Sequence, residues 1–324
     1  MTQPCRIGVL GGGSIGLRHA ANLRQLGHGN VVVLEPSPAA RERFDGAIAE
    51  GLVATREEFW EARPDVVFVC TPSQHHLADA TEALTRGCDV FVEKPLAVSL
   101  EGCDALATKA TENSCVTMVA CNMRFHPGPI AVKALIEDGR IGAILAARLH
   151  CGSFLPDWRP WQDYKLSYSA DSVSGGAILD CIHEIDLALW YLGPGSLQAA
   201  VVRKGGSIGL PDTDAIAELL IAHDSGALGS VHLNFLQRNY SRGCEIVGTL
   251  GTIRWDFEVP EVHIHSGDGT ATVSLPADYD LNAMYLDEAR HFLDCVAARR
   301  PTCNPLDGGL AALRIALDAK SASR

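Results

Sequence analysis

The sequence predicts a two-part protein: an α/β domain with a doubly wound parallel sheet over residues 1–122, then a substrate-binding α+β domain with a mostly antiparallel sheet over 123–324, whose last helix can pack back on the first domain. Three observations predict it. The 324 residues exceed one ordinary domain of roughly 100–200 residues. The first part alternates short, continuous apolar runs with helical patterns, as strands buried on both faces of a parallel sheet require. After about residue 122 that alternation stops, and from 197 to 275 strand-like runs follow one another across turns.

The elements follow in order. RIGVLG (6–11) is the first strand, and SIGLRHAANLRQLG (14–27) places Ile15, His19, Leu23 and Leu26 at helical spacing before a glycine stop. VVVLE (31–35) is a strand and 38–51 a helix; DVVFVCTP (65–72) is a strand and 75–87 a helix. DVFVEKP (89–95) is a strand and 100–114 a helix; CVTMVACN (115–122) is the fifth strand. In the second part 129–139 reads as a helix, 142–152 as a long strand, and 178–193 as one strong amphipathic helix. Seven strand-like runs then lead to two final helices at 283–299 and 306–320.

Composition excludes several roles. Asp plus Glu is 39 and Lys plus Arg 27, a net charge of −12. So acidic a balance opposes general nucleic-acid binding and a polybasic membrane surface. The longest apolar runs fall well short of the roughly 20 residues that span a bilayer. Eleven scattered cysteines without C-x-x-C make a poor disulfide framework, and no secretory signal is visible, so a cytoplasmic setting is expected. His75-His76, His263-x-His265 and Cys181-x-His183 lack a third ligand at standard spacing, so no metal is expected.

Gly11-Gly12-Gly13-Ser14-Ile15-Gly16 satisfies G-x-G-x-x-G. It follows a strand, opens a helix, and precedes Glu35 by 19 residues, at the end of the second strand. Gly11 permits the tight turn, Gly13 lets the backbone approach a pyrophosphate, and Gly16 lets helix and strand pack closely. Free N–H groups at the helix start, at Ser14 and Ile15, hold the anion. Glu35 accepts hydrogen bonds from ribose hydroxyls and repels a 2′-phosphate, which predicts NAD(H) over NADP(H). Thr71-Pro72 ends the third run, where ligands lie over the carboxyl ends of such a sheet.

Glu93-Lys94-Pro95 ends the fourth run at the same edge. An ammonium there can stabilise charge developing on a substrate oxygen, and an X-Pro bond can be cis and turn the lysine inward. Alone, such a lysine also reads as a solvated charge. In the later helix Asp180, His183 and Asp186 recur at steps of three, sharing a face. A histidine beside a carboxylate suits proton transfer from an alcohol near neutral pH. A satisfied core histidine explains the same spacing.

Together GGGSIG, TPSQHH, EKP, NMRFHP, DGRIGAI and GG(x)3D(x)2HEID resemble the glucose–fructose oxidoreductase, inositol dehydrogenase and rhizopine-catabolism (Gfo/Idh/MocA) family. The resemblance runs from residue 6 to about 193 by motif and onward by layout. It implies a Rossmann first domain and an open antiparallel sheet whose exposed face forms homodimers or homotetramers. It implies that Lys94 bonds the reacting oxygen, that His183 moves its proton, and that Asp180 assists. His76, Asn122 and Arg124 flank the nicotinamide and substrate, with Glu93 beside them. The implied reaction is reversible hydride transfer between a sugar, amino-sugar or cyclitol carbinol and NAD. One departure stands out. Many members place four steps between that aspartate and histidine; here there are three, a difference of about 100° around a helix. Either Asp180 lies just ahead of the helix or Asp186 shares its role.

The stretch 155–176 resembles a variant in members linked to bacterial surface-sugar or amino-sugar metabolism. Trp158, Trp161, Tyr164 and Tyr168 can stack on a sugar's apolar face, with Arg159 and Lys165 meeting an acidic group. A loop packed by its own aromatics, or a subunit contact, reads equally well. A noncatalytic sensor of dinucleotide or sugar, as in the family's corepressors, is the alternative function.

Overall fold

The computed structural model describes residues 5–44, 48 and 51–322, and they divide into two units. The first comprises the chain up to Asn122 together with Leu281–Leu310. Its strands are β1 (Ile7–Leu10), β2 (Val31–Leu34), β3 (Leu52–Val53), β4 (Val66–Val69), β5 (Asp89–Val92) and β6 (Thr117–Val119). They pair in parallel in the order β3-β2-β1-β4-β5-β6. The order reverses between β1 and β4, and Gly11 sits there. A Cβ on Gly11 would lie 2.7 Å from the Cys70 carbonyl oxygen, and its φ of +97° suits glycine alone. This is the position at which doubly wound sheets bind ligands.

Phe68 and Phe91, register partners on β4 and β5, stack at 4.6 Å, and Phe292 closes on both at 5.6 Å. Each buried phenyl contributes roughly 1.5–3 kcal/mol. Phe292 lies on the helix Leu281–Ala298, which this unit holds by further bonds. Cys121 N–H donates to Glu288 Oε1 at 2.7 Å, and Arg299 pairs with Asp89 at 2.6 Å. Residues 281–310 therefore group with the first 122. The helix expected over 38–51 is described only as Pro38–Arg41; residues 45–47 and 49–50 of that stretch lie outside the described residues. The short β3 and the helix Arg56–Glu61, with its Thr55/Glu58 capping box, give no periodic signal long enough to be foreseen.

The second unit comprises Met123–Asp280 and the chain from Ala311. Its sheet contains β7 (Ile144–Phe154), β8 (Gly195–Gly205), β9 (Leu210–His223), β10 (Leu228–Asn234), β11 (Leu236–Gly248), β12 (Gly251–Asp256), β13 (Glu261–Ser266) and β14 (Gly269–Ser274). The order is β14-β13-β12-β11-β7-β10-β9-β8, antiparallel except where β7 meets β10. Helices Pro127–Glu137, Gly176–Asp180 and His183–Leu192 cover one face. The other face exposes Val201, Leu220, Leu228 and Val247. The β7–β11 ladder is interrupted. Leu236 pairs with Phe154, but the next pair is Ser241 with Gly152, so residues 237–240 bulge opposite Ser153. Such bulges re-aim side chains.

His126 caps the helix Pro127–Glu137: its Nδ1 accepts the Gly128 N–H at 3.1 Å, and its ring stacks on Phe257 at 5.0 Å. Burial, aided by Arg242, pushes its pKa down to about 4 from 6.5. The unfolded chain therefore binds this proton at a pH where the folded one does not. The stability is fully present above about pH 6.5 and is lost as pH falls towards 4, by up to about 3 kcal/mol. Urea unfolding across that range should show the loss. His126→Asn, which caps without titrating, should flatten the slope.

Candidate active site

In the first unit the glycine turn forms a cradle. A Cβ on Gly16 would lie 1.8 Å from the Gly11 carbonyl oxygen, and one on Gly12 2.7 Å from Glu35 Cβ. Gly13 has open space where its side chain would be. Gly13 is also the N-cap of the helix Ser14–Gln25 and makes no side-chain cap bond, so the N–H groups around Ser14 and Ile15 remain for an anion. Glu35 follows β2 and is buried, with Oε1 accepting the Ser37 N–H at 2.9 Å. These residues fit a dinucleotide: open backbone donors for the pyrophosphate and one carboxylate for a ribose.

The strand ends beyond β4 and β5 are tied together. His76 is buried, with Nδ1 2.7 Å from the Pro95 carbonyl oxygen and Nε2 2.7 Å from that of Thr71. Burial pushes its pKa below the ordinary range, against the pull of both carbonyls. The neutral ring can donate to one of them only. Thr71 donates its hydroxyl to Asp79 at 2.6 Å, and Pro72 immediately precedes the helix Ser73–Thr85. Glu93 is buried against His19, Oε1 to Nε2 at 2.8 Å, and its Oε2 accepts the Lys94 N–H at 3.2 Å. Burial pushes Glu93 up, but His19, Lys94 and His76 outweigh it and hold the carboxyl below its ordinary range. The Lys94–Pro95 peptide is cis. Asn122, buried, begins the 3-10 turn Asn122–Phe125.

In the second unit the helix foreseen over 178–193 is two helices. Gly176–Asp180 ends at Cys181 (φ −96°, ψ 31°), and His183 opens the next. The paired glycines explain the first. A Cβ on Gly175 would lie 2.2 Å from the Tyr168 carbonyl oxygen, and one on Gly176 2.2 Å from Asp214 Oδ1. Asp214 accepts the Ile178 N–H at 2.9 Å and pairs with Lys320 at 2.6 Å. This turn brings the 155–171 loop onto Asp180, whose oxygens accept Tyr168 O–H at 2.9 Å and Ser169 O–H at 2.6 Å. Asp180 thus lies one turn ahead of the helix that His183 begins. Asp186 is held bidentately by Arg124, both N···O distances 2.7 Å, with both side chains buried. Glu184 pairs with Arg242 at 2.7 Å.

Asp180, Trp158 and Arg159 line one cavity of about 540 Å³ with Cys151, Ser153, Phe154, Asp157, Cys181, Arg238, Tyr240 and Arg242. The other loop residues go elsewhere. Tyr164 donates to the Ile208 carbonyl at 2.7 Å, and Lys165 reaches the place a Gly209 side chain would take, 2.8 Å away. Trp161 is 82% exposed. Trp158 itself donates to Ser153 Oγ at 2.9 Å and packs edge-on against Phe235. Arg238, Tyr240 and Arg242, which the sequence reading passed over, come from the bulged segment and its flank. Two arginines within FLQRNYSRG, in so acidic a chain, were the available signal.

Residues 5–121 match the family described as "Oxidoreductase family, NAD-binding Rossmann fold", and residues 130–254 match the "GFO/IDH/MocA C-terminal domain". The chain is 30% identical to the inositol 2-dehydrogenase of Pseudomonas fluorescens, over 97% of this chain and 92% of that one. It is 29% identical to the inositol 2-dehydrogenase of Rhizobium meliloti, over 96% and 94%. The structure of a levoglucosan dehydrogenase with NADH and levoglucosan superposes with a TM-score of 0.86, at 25% identity, covering 99% of this chain and 98% of that one. No helix among the described residues is long and apolar enough to cross a membrane, and none of their His, Cys, Asp and Glu side chains form a group of three or more that could hold a metal ion. With both domain families matched in their order, and a relative 30% identical across nearly the whole chain, this protein belongs to the Gfo/Idh/MocA family of NAD-binding oxidoreductases.

Proposed function

We propose that the protein is an NAD-dependent dehydrogenase that interconverts a secondary alcohol and a ketone on a cyclitol or sugar. The observation that carries this reading is the open cradle at Gly13 with Glu35 beside it, in a chain 30% identical to an inositol 2-dehydrogenase. Backbone N–H groups around Ser14 and Ile15 hold the pyrophosphate, and Glu35 takes the ribose hydroxyls. Bound NAD⁺ supplies the hydride acceptor. Lys94 donates to the reacting oxygen and stabilises its charge as the O–H proton leaves. His183 accepts that proton, with Asp180 held ready by Tyr168 and Ser169. His76 and Glu93 act behind Lys94, one gripping the Pro95 carbonyl and the other the Lys94 N–H. The apolar residues Val201, Leu220, Leu228 and Val247 support association of like chains through the uncovered sheet face.

The test is absorbance at the NADH wavelength when the purified protein meets NAD⁺ and inositols, hexoses, amino sugars or nucleotide sugars. A substrate-dependent rise supports the reading. Tight NADH binding with no turnover of any of them would favour a noncatalytic sensor. In the same assay Glu35→Ser should erode the preference for NAD⁺ over NADP⁺ by removing the charge that repels a 2′-phosphate. Unchanged discrimination would assign that role to another group.

A further inference from the structure

The cavity beside Asp180 carries charge that the proposed reaction does not use. Three arginines line it: Arg159, Arg238 and Arg242. Arg242 is neutralised by Glu184. Arg238 lies over the Phe154 ring at 3.7 Å and Arg159 over the Tyr168 ring at 5.5 Å. Among the described residues neither has a carboxylate within ion-pair distance. Stacking engages the faces of a guanidinium and leaves its edge donors for a ligand. Asp180, the acid on the same wall, already accepts from Tyr168 and Ser169, and the remaining acid is the exposed Asp157. Lys165, expected to meet an acidic group, lies at Gly209 instead.

The bulge is the device that places Arg238. Four residues, 237–240, stand opposite Ser153 alone, and the Gln237 side chain fills the place a Gly152 Cβ would take, 2.2 Å from its Oε1. The strand leaves its ladder there, so Arg238 and Tyr240 are not bound to strand alternation and both reach the cavity wall. A chain with a net charge of −12 thus sets two guanidinium groups without acid partners on one cavity, with the Trp158 ring beside them.

We infer that this cavity selects an acidic sugar, one bearing a carboxylate or a phosphate, through Arg159 and Arg238. The inference rests on the dehydrogenase reading for the fate of the sugar, but not for its binding. The two oxygens of a planar carboxylate, or two of the oxygens of a tetrahedral phosphate, match the guanidinium edge, and charge-assisted bonds of this kind are the strong ones. Trp158 offers an apolar wall to the ring's C–H face.

The test is calorimetric titration of the NADH-bound protein with D-glucuronate, D-glucose 6-phosphate, D-glucose and myo-inositol. At least one acid should bind more tightly than both neutral probes, and which acid wins identifies the carboxylate or the phosphate. Arg238→Gln and Arg159→Gln should each weaken that acid roughly 10- to 100-fold. Neutral-probe and NADH affinities should stay as they were. Equal binding of acids and neutral probes, no binding of either acid, or variants that weaken all probes alike would overturn the inference. If an acid binds but no sugar is ever oxidised, the dehydrogenase reading falls and this one stands. If only neutral polyols are oxidised, and the variants leave them unaffected, the reverse holds.

Discussion

Replacing His183 with alanine is expected to lower turnover by about 10²–10⁴ while NADH still binds. His183 is the first residue of its helix, buried to 8% exposure, and the next two acids on that helix are committed, Glu184 to Arg242 and Asp186 to Arg124. Neither acid is left to take a substrate proton. A general base lost from a reaction that must remove a hydroxyl proton lowers kcat, because the proton's interaction exists in the transition state and not on substrate binding. KM should therefore change far less than kcat. His183→Gln, which keeps a polar side chain at the helix start, guards against simple misfolding. If either variant folds, binds NADH and turns over at the wild-type rate, the proton goes elsewhere.

The first unit was far more legible in the sequence than the second. Its strands are continuous apolar runs, and the glycines of Gly11–Gly16 stand at a spacing that the sequence displays directly. Gly11 has a positive φ, Gly16 presses on the Gly11 carbonyl, and Gly13 is open. What escaped there was short: a two-residue strand and a six-residue helix leave too few residues to show a period. In the second unit the losses arise from contacts distant in the chain. The helix over 178–193 is broken at Cys181, and its first piece starts where Asp214, held by Lys320, accepts the Ile178 N–H; neither partner is near in sequence. β7 pairs in parallel with β10 inside an otherwise antiparallel sheet, which strand alternation cannot reveal. The bulge at 237–240 depends on the partner strand, so Arg238 and Arg242 could not be placed on the cavity from spacing alone.

Arg124 shows the same limit at a single residue, and it yields the other large expected effect. The N-x-R motif carried it to the substrate by resemblance; the structure gives its guanidinium to Asp186 through two 2.7 Å bonds, with the Trp190 ring 5.5 Å away. Asp186 is 1% exposed. Removing the cation alone leaves a buried carboxylate with no countercharge, and breaking a buried pair from one side costs about 3–5 kcal/mol. Arg124→Met should therefore lower unfolding stability by that amount, read from urea denaturation. The double variant Arg124→Met, Asp186→Leu should recover most of the loss, because the stranded charge has gone with its partner. A substrate-binding arginine behaves in the opposite way: its loss raises KM, leaves stability nearly unchanged, and is not rescued by altering Asp186. A stable Arg124→Met protein with a raised KM would return this residue to the substrate. A destabilised one, rescued by the second change, makes Arg124 the brace that holds the His183 helix in place.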